Sequence, residues 1–166
     1  MAFRSWDLYE YLLLQRTTKH SWPIKTATQL EKPRYVIFAL QICRKNIMAE
    51  DPSRFDHCNL TNVKLYLNSE CYSREDMNLD FGKNRWAILY DMYTRFCRAY
   101  LGYENLQPSL SITEFLYNGP FTVIDCCRQS ESIKSATIDV RFEFETNTNV
   151  PENSSAYCLI IHDLVI

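Results

Sequence analysis

The feature that most restricts this chain is strict alternation of apolar and polar residues with period two. Over 136–145 the residues Ile138, Val140, Phe142 and Phe144 alternate with Asp139, Arg141, Glu143 and Glu145. Successive side chains of a strand point to opposite faces, so this pattern predicts a half-buried antiparallel strand. Val63, Leu65 and Leu67 alternate with Asn62, Lys64, Tyr66 and Asn68 in the same way. Residues 34–41 (RYVIFALQ) are nearly all apolar and predict an interior strand covered on both faces. Further strands are expected over 22–29, 121–126 and 156–161, with Pro23 confined to a strand start or a sheet edge. A seventh, weaker strand pattern covers 8–14.

Two helices interrupt the strands. From Trp86 the apolar residues Leu89, Tyr90, Tyr93, Phe96, Cys97 and Tyr100 follow at helical spacing. One stripe on a helix over about 83–101 is expected, ended by Gly102. Ser111-Ile112-Thr113-Glu114 is a capping-box sequence and predicts a short helix over about 111–117. The turn sequence Asn118-Gly119-Pro120 should stop it. Long connections, with Asn-Gly only at 118–119, favour a Greek-key arrangement over a meander of tight hairpins. The expected class is therefore all-β: an antiparallel jelly-roll sandwich carrying one long inserted helix and one short one. The expected division is an N-terminal segment, 1–21, and a jelly-roll domain, 22–166.

Composition narrows the function. Lys+Arg is 18 against Asp+Glu 20, a formal charge of -2. That argues against a strong nucleic-acid grip, which needs clustered positive charge, and no specific nucleic-acid partner is expected. Only 3 glycines occur, and neither GxGxxG nor GxxxxGK[ST] is present, so glycine-loop nucleotide enzymes drop out. No apolar run approaches the length of a membrane span, and Asp7 and Glu10 interrupt the N-terminal apolar stretch. A soluble intracellular protein with no membrane partner is expected. The 7 cysteines, odd in number and scattered, read as reduced thiols.

Candidate chemistry is sparse. His20, His57 and His162 show no metal-ligand spacing with one another or with the cysteines. Adjacent pairs such as Cys126-Cys127, on a strand, point to opposite faces. No G-x-S-x-G elbow occurs. No catalytic residue, cofactor or metal is therefore assigned. Trp6, Tyr9, Tyr11 and Trp22 lie in weakly patterned sequence, and with the apolar end Leu164, Val165 and Ile166 they are the candidate interface residues.

Four blocks together resemble the double-jelly-roll-like domain family, whose members look like major capsid proteins of DNA viruses and of Maverick/Polinton virus-like elements. They are QLEKPRYVI at 29–37, SRFDHCNLTNVKLYLN at 53–68, VIDC at 123–126 with SESIK at 130–134, and AYCLIIHD at 156–163. The resemblance implies a structural role in which two rolls make a subunit, subunits form trimers, and trimers tile a shell. It implies that this chain is the C-terminal roll, as a fragment or domesticated copy, with 1–21 as the end of a first roll. Its partner would be itself or a sister roll, and its location a virion where the capsid is functional. The family supplies no active-site residue. Two other readings stay open: a cupin-like metal enzyme using His57 or His162, and a carbohydrate-binding sandwich.

Overall fold

The computed structural model describes residues 2–24, 33–42, 54–68, 70–72, 76–101, 110–126 and 139–165. Among the described residues eight strands appear in chain order: β1 (Ala2–Tyr11), β2 (Lys19–Ile24), β3 (Pro33–Ile42), β4 (Leu60–Leu67), β5 (Glu70–Cys71), β6 (Phe121–Asp125), β7 (Val140–Thr146) and β8 (Ser154–Val165). Two helices, α1 (Ala87–Leu101) and α2 (Ile112–Asn118), lie between β5 and β6. The strands form two antiparallel sheets, ordered β1-β8-β3-β6 and β2-β7-β4-β5.

The pairing is nested. First pairs with last (β1 with β8), second with seventh (β2 with β7), third with sixth (β3 with β6) and fourth with fifth (β4 with β5). The β3–β8 and β4–β7 ladders then join these pairs within each sheet. This is a long hairpin wrapped over on itself, the path of a jelly roll.

The core lies between the sheets. Val36, Phe38 and Leu40 stand in register with Ile160, Cys158 and Ala156, and this face meets Val63, Leu65, Phe142 and Phe144 of the second sheet. The Phe38 ring centroid lies 5.1 Å from that of Phe142 and 4.9 Å from that of Phe144, bridging the layers. The alternation predicted for β4 and β7 is observed: in each, buried residues alternate with more exposed ones. β3 is interior, as its apolar run requires, and Pro23 sits on β2, an edge strand.

Several sequence expectations need adjustment. β1 begins six residues before the expected 8–14, ends at Tyr11, and pairs with β8 from Ala2 through Tyr11. Residues 2–11 are therefore hydrogen-bonded into the first sheet of this roll. The boundary expected between residues 21 and 22 falls inside β2. β5, only two residues long, is too short to leave a pattern. The long helix begins at Ala87 because 80–85 close into a turn, with paired backbone bonds between Asp80 and Arg85 and left-handed Asn84 (φ 57°). Residues 25–29 and 136–138 of two expected strands, the Gly102 cap, Cys43 and Cys127 lie outside the described residues.

The helical stripe does face the protein. Leu89, Tyr93 and Cys97 are buried, Tyr90 and Phe96 partly so, and Trp86 packs just ahead of the first turn. The Tyr100 side chain lies outside the described residues.

At α2 the capping box is made in full. The Glu114 N–H donates to Ser111 Oγ at 3.2 Å, and the Ser111 N–H donates to Glu114 Oε2 at 3.0 Å. Gly119 closes the other end, donating to the Phe115 carbonyl at 2.8 Å, where a β-carbon would collide with that same oxygen. Ser111→Ala removes one of the two box bonds and is expected to cost about 0.5–2 kcal/mol, read as a lower urea midpoint at unchanged slope.

Candidate functional site

The two outer faces of the sandwich differ in chemistry. On the second sheet, Lys64 pairs with Asp76 at 3.3 Å, Arg141 with Glu143 at 3.5 Å, and the Arg141 guanidinium lies 4.7 Å above the Tyr66 ring. A shallow recess of about 310 Å³ there is lined by Lys19, Ser21, Asn62, Lys64, Glu143 and Glu145, charges of both signs on a solvated surface.

The outer face of the first sheet is apolar. Tyr35, Val123 and Ile161 form a small cluster with Ile37, Phe121 and Leu159. α1 roofs one side of it through Met92 and Phe96, the Phe96 ring meeting Tyr35 edge-on at 5.0 Å. Towards β1 the apolar surface continues. Trp6 stands opposite Ile161 and Leu8 opposite Leu159, with Trp6 68% and Leu8 56% exposed. Leu12 and Leu13, just beyond β1, are exposed as well. Large apolar side chains clustered on one face mark contact surfaces on soluble proteins.

This sorts the predicted interface residues. Trp6 faces outward and is exposed. Trp22 does not: it is 5% exposed, and its ring stacks on Phe142 at 5.9 Å and meets Tyr11 edge-on at 5.8 Å. Its inward position follows from parity, because Trp22 lies opposite Phe142 and opposed residues share a face. Tyr9 and Tyr11 also turn inward and pack against the main core. Burial pushes the Tyr9 phenol up, helped by Asp7 and then Cys158. Leu164 and Val165 pair through their backbones with Phe3 and Ala2, and Ile166 lies outside the described residues. Leu8, which no sequence criterion singled out, joins Trp6. The two-residue spacing of Trp6 and Leu8 was the available signal.

The histidines are separated. His20 stacks on Phe144 at 4.8 Å, His57 stacks on Phe81 at 4.4 Å, and buried His162 lies 3.3 Å from Asp7 Oδ2. Among the described residues no group of three or more His, Cys, Asp or Glu could hold a metal ion. None of the described cysteines Cys58, Cys71, Cys97, Cys126 and Cys158 is in a disulfide. Burial, then Cys126, pushes the Cys158 thiol up, away from the reactive thiolate. A recess of about 330 Å³ beside α1 is lined by Tyr35, Tyr72, Arg95, Phe96, Val123 and Asp125. Burial and the Glu70 carboxylate push the Tyr72 phenol up to about 12. No helix of the described residues is long and apolar enough to cross a membrane.

Nested eight-strand pairing in two four-stranded sheets agrees with a sequence-family match: the double jelly roll-like domain matches residues 1–166. The chain belongs to the double jelly roll-like domain family. No curated protein matches the sequence. In this member of the family the most distinctive surface is an apolar sheet face half roofed by a helix.

Proposed function

We propose that this chain is a non-enzymatic, capsid-type structural subunit, one roll of a double-jelly-roll assembly. The outer face of its first sheet would be the contact with a sister roll or a second copy, within a trimeric capsomer. The observation that carries the reading is the apolar strip of Trp6 and Leu8 beside Leu159, on a domain whose opposite face is charged. Burying each large side chain contributes about 1.5–3 kcal/mol, enough for two copies of the strip to favour association measurably. The chain's small net charge of -2 opposes it little.

Sedimentation velocity over a micromolar concentration series tests this. The chain should associate, and the double variant Trp6→Glu/Leu8→Glu should weaken association by at least about tenfold, a loss of about 1.4 kcal/mol. Thermal stability should stay nearly unchanged, since both side chains are exposed. A monomer at every concentration, indifferent to the double variant, would overturn the proposal. Stoichiometric zinc or iron lost on His57→Ala or His162→Ala would replace it with the metal-enzyme reading.

A further inference from the structure

The crossover from the first sheet to the second passes through a turn that ordinary sequence chemistry disfavours. The Leu60 N–H donates to the His57 carbonyl at 2.9 Å, closing a four-residue turn. Its two central residues, Cys58 (φ 46°) and Asn59 (φ 54°), are both left-handed. That backbone is the mirror-image turn normally built from Asn-Gly, and a cysteine at its first central position is strained. Such strain persists only where the surroundings over-determine it.

The surroundings here are specific. His57 Nδ1 accepts the Asn59 N–H at 2.9 Å, and the imidazole lies nearly parallel to Phe81, 9° between planes. Asp56 anchors the turn to the first sheet, its N–H donating to the Leu40 carbonyl at 2.8 Å and its Oδ2 accepting from the Ile42 N–H at 2.9 Å. Asn59 anchors the other side. Its carbonyl accepts from the Asn147 N–H at 2.8 Å, and its side-chain amide donates to Thr148 Oγ1 at 3.2 Å. The turn thus ties the crossover to the β7–β8 loop at one end of the sandwich.

We propose that the 57–60 turn is a proton-released latch: unprotonated His57 holds the strained turn shut, and protonation of Nδ1 frees the crossover and the 147–148 loop it holds. An imidazolium has no lone pair for the Asn59 N–H, so the bond that fixes the left-handed pair is lost. Leu60, Leu89 and Phe81 line the small recess beside the ring and carry no charge, and among the described residues Asp56 is the charged group that acts on it. Burial pulls the His57 pKa below the ordinary 6.5, against a smaller upward pull from Asp56. A folded-state value below the unfolded one means the contribution to stability is full above pH 6.5. It is lost as pH falls through the folded value. His20, by contrast, donates a ring N–H to the Thr17 carbonyl at 3.0 Å. The latch does not depend on the capsid reading.

Amide hydrogen exchange on the full chain tests it, with rates corrected for intrinsic pH dependence, from about pH 7.5 to about pH 5.5. Protection at Asn59 and Asn147 should fall about fivefold to tenfold, the effect of losing one net hydrogen bond, while Val63 and Phe142 stay protected. In His57→Asn the side-chain carbonyl accepts the same N–H without titrating, and the fall should disappear. His57→Asp, which keeps an acceptor, serves if the asparagine variant does not fold. Unchanged protection at Asn59 in the wild type, or an equal fall in the non-titrating variant, would overturn the latch.

Discussion

Phe142→Ala is expected to destabilise the domain by about 3–5 kcal/mol, the range for truncating a fully buried phenylalanine. Phe142 is completely buried, stacked on Trp22 at 5.9 Å and tilted against Phe38 at 5.1 Å. Its ring therefore joins the edge strand β2 to the interior of the opposite sheet. Removing it leaves a void between Trp22 and Phe38, which the two hydrogen-bonded sheets are poorly able to collapse into. For a domain of this size the loss corresponds to a fall in melting temperature of roughly 6–20 °C. Urea unfolding should show the drop as a lower midpoint at unchanged slope. A cost below about 0.5 kcal/mol, typical of surface positions, would mean the sheets do not meet at this ring.

Phe115→Ala should cost a similar amount for a different reason. Phe115 is the fully buried residue of α2, and its ring packs on Tyr90 at 5.5 Å, Tyr93 at 5.4 Å and Phe121 at 5.0 Å. It fastens both helices to β6. The phenols complete the junction, Tyr90 donating to the Leu110 carbonyl at 2.9 Å and Tyr93 accepting from the Leu110 N–H at 3.1 Å. A loss of about 3–5 kcal/mol is expected, with Phe115→Leu restoring most of it because volume is largely kept. Near-ultraviolet circular dichroism should lose tyrosine signal in the alanine variant even where folding persists. Equal spectra and equal urea midpoints for the alanine variant and the wild type would show that the helices dock without this ring.

The legible parts of this protein were those governed by near neighbours in the chain. The capping box at Ser111 and Glu114 is a contact three residues long, so the sequence contains the whole of it. The alternation in β4 and β7 reflects a backbone period of two and survives any tertiary context that leaves one face wet. The run at 34–41 announced a strand covered on both sides, and β3 is roofed outside by α1 and faced inside by the second sheet.

Alternation does not say which face turns inward. In β1, Trp6 and Leu8 share one face and Asp7, Tyr9 and Tyr11 the other, and side-chain hydropathy favours burying Trp6. The roll buries the tyrosine face instead, because β8 presents Cys158 and Ala156 to the core in the same register. Trp6 is outside for that reason, and Trp22 is inside because it stands opposite Phe142 of β7. Asp7 beside His162, and the hold of His57 on the strained crossover, likewise depend on how distant segments or a left-handed backbone bring groups together. The sequence by itself determined strands, caps and the class of fold. The nested pairing that joins the first strand to the last, and so selects which apolar face remains exposed, was decided by tertiary structure, because the contacts that set it lie between segments far apart in the chain.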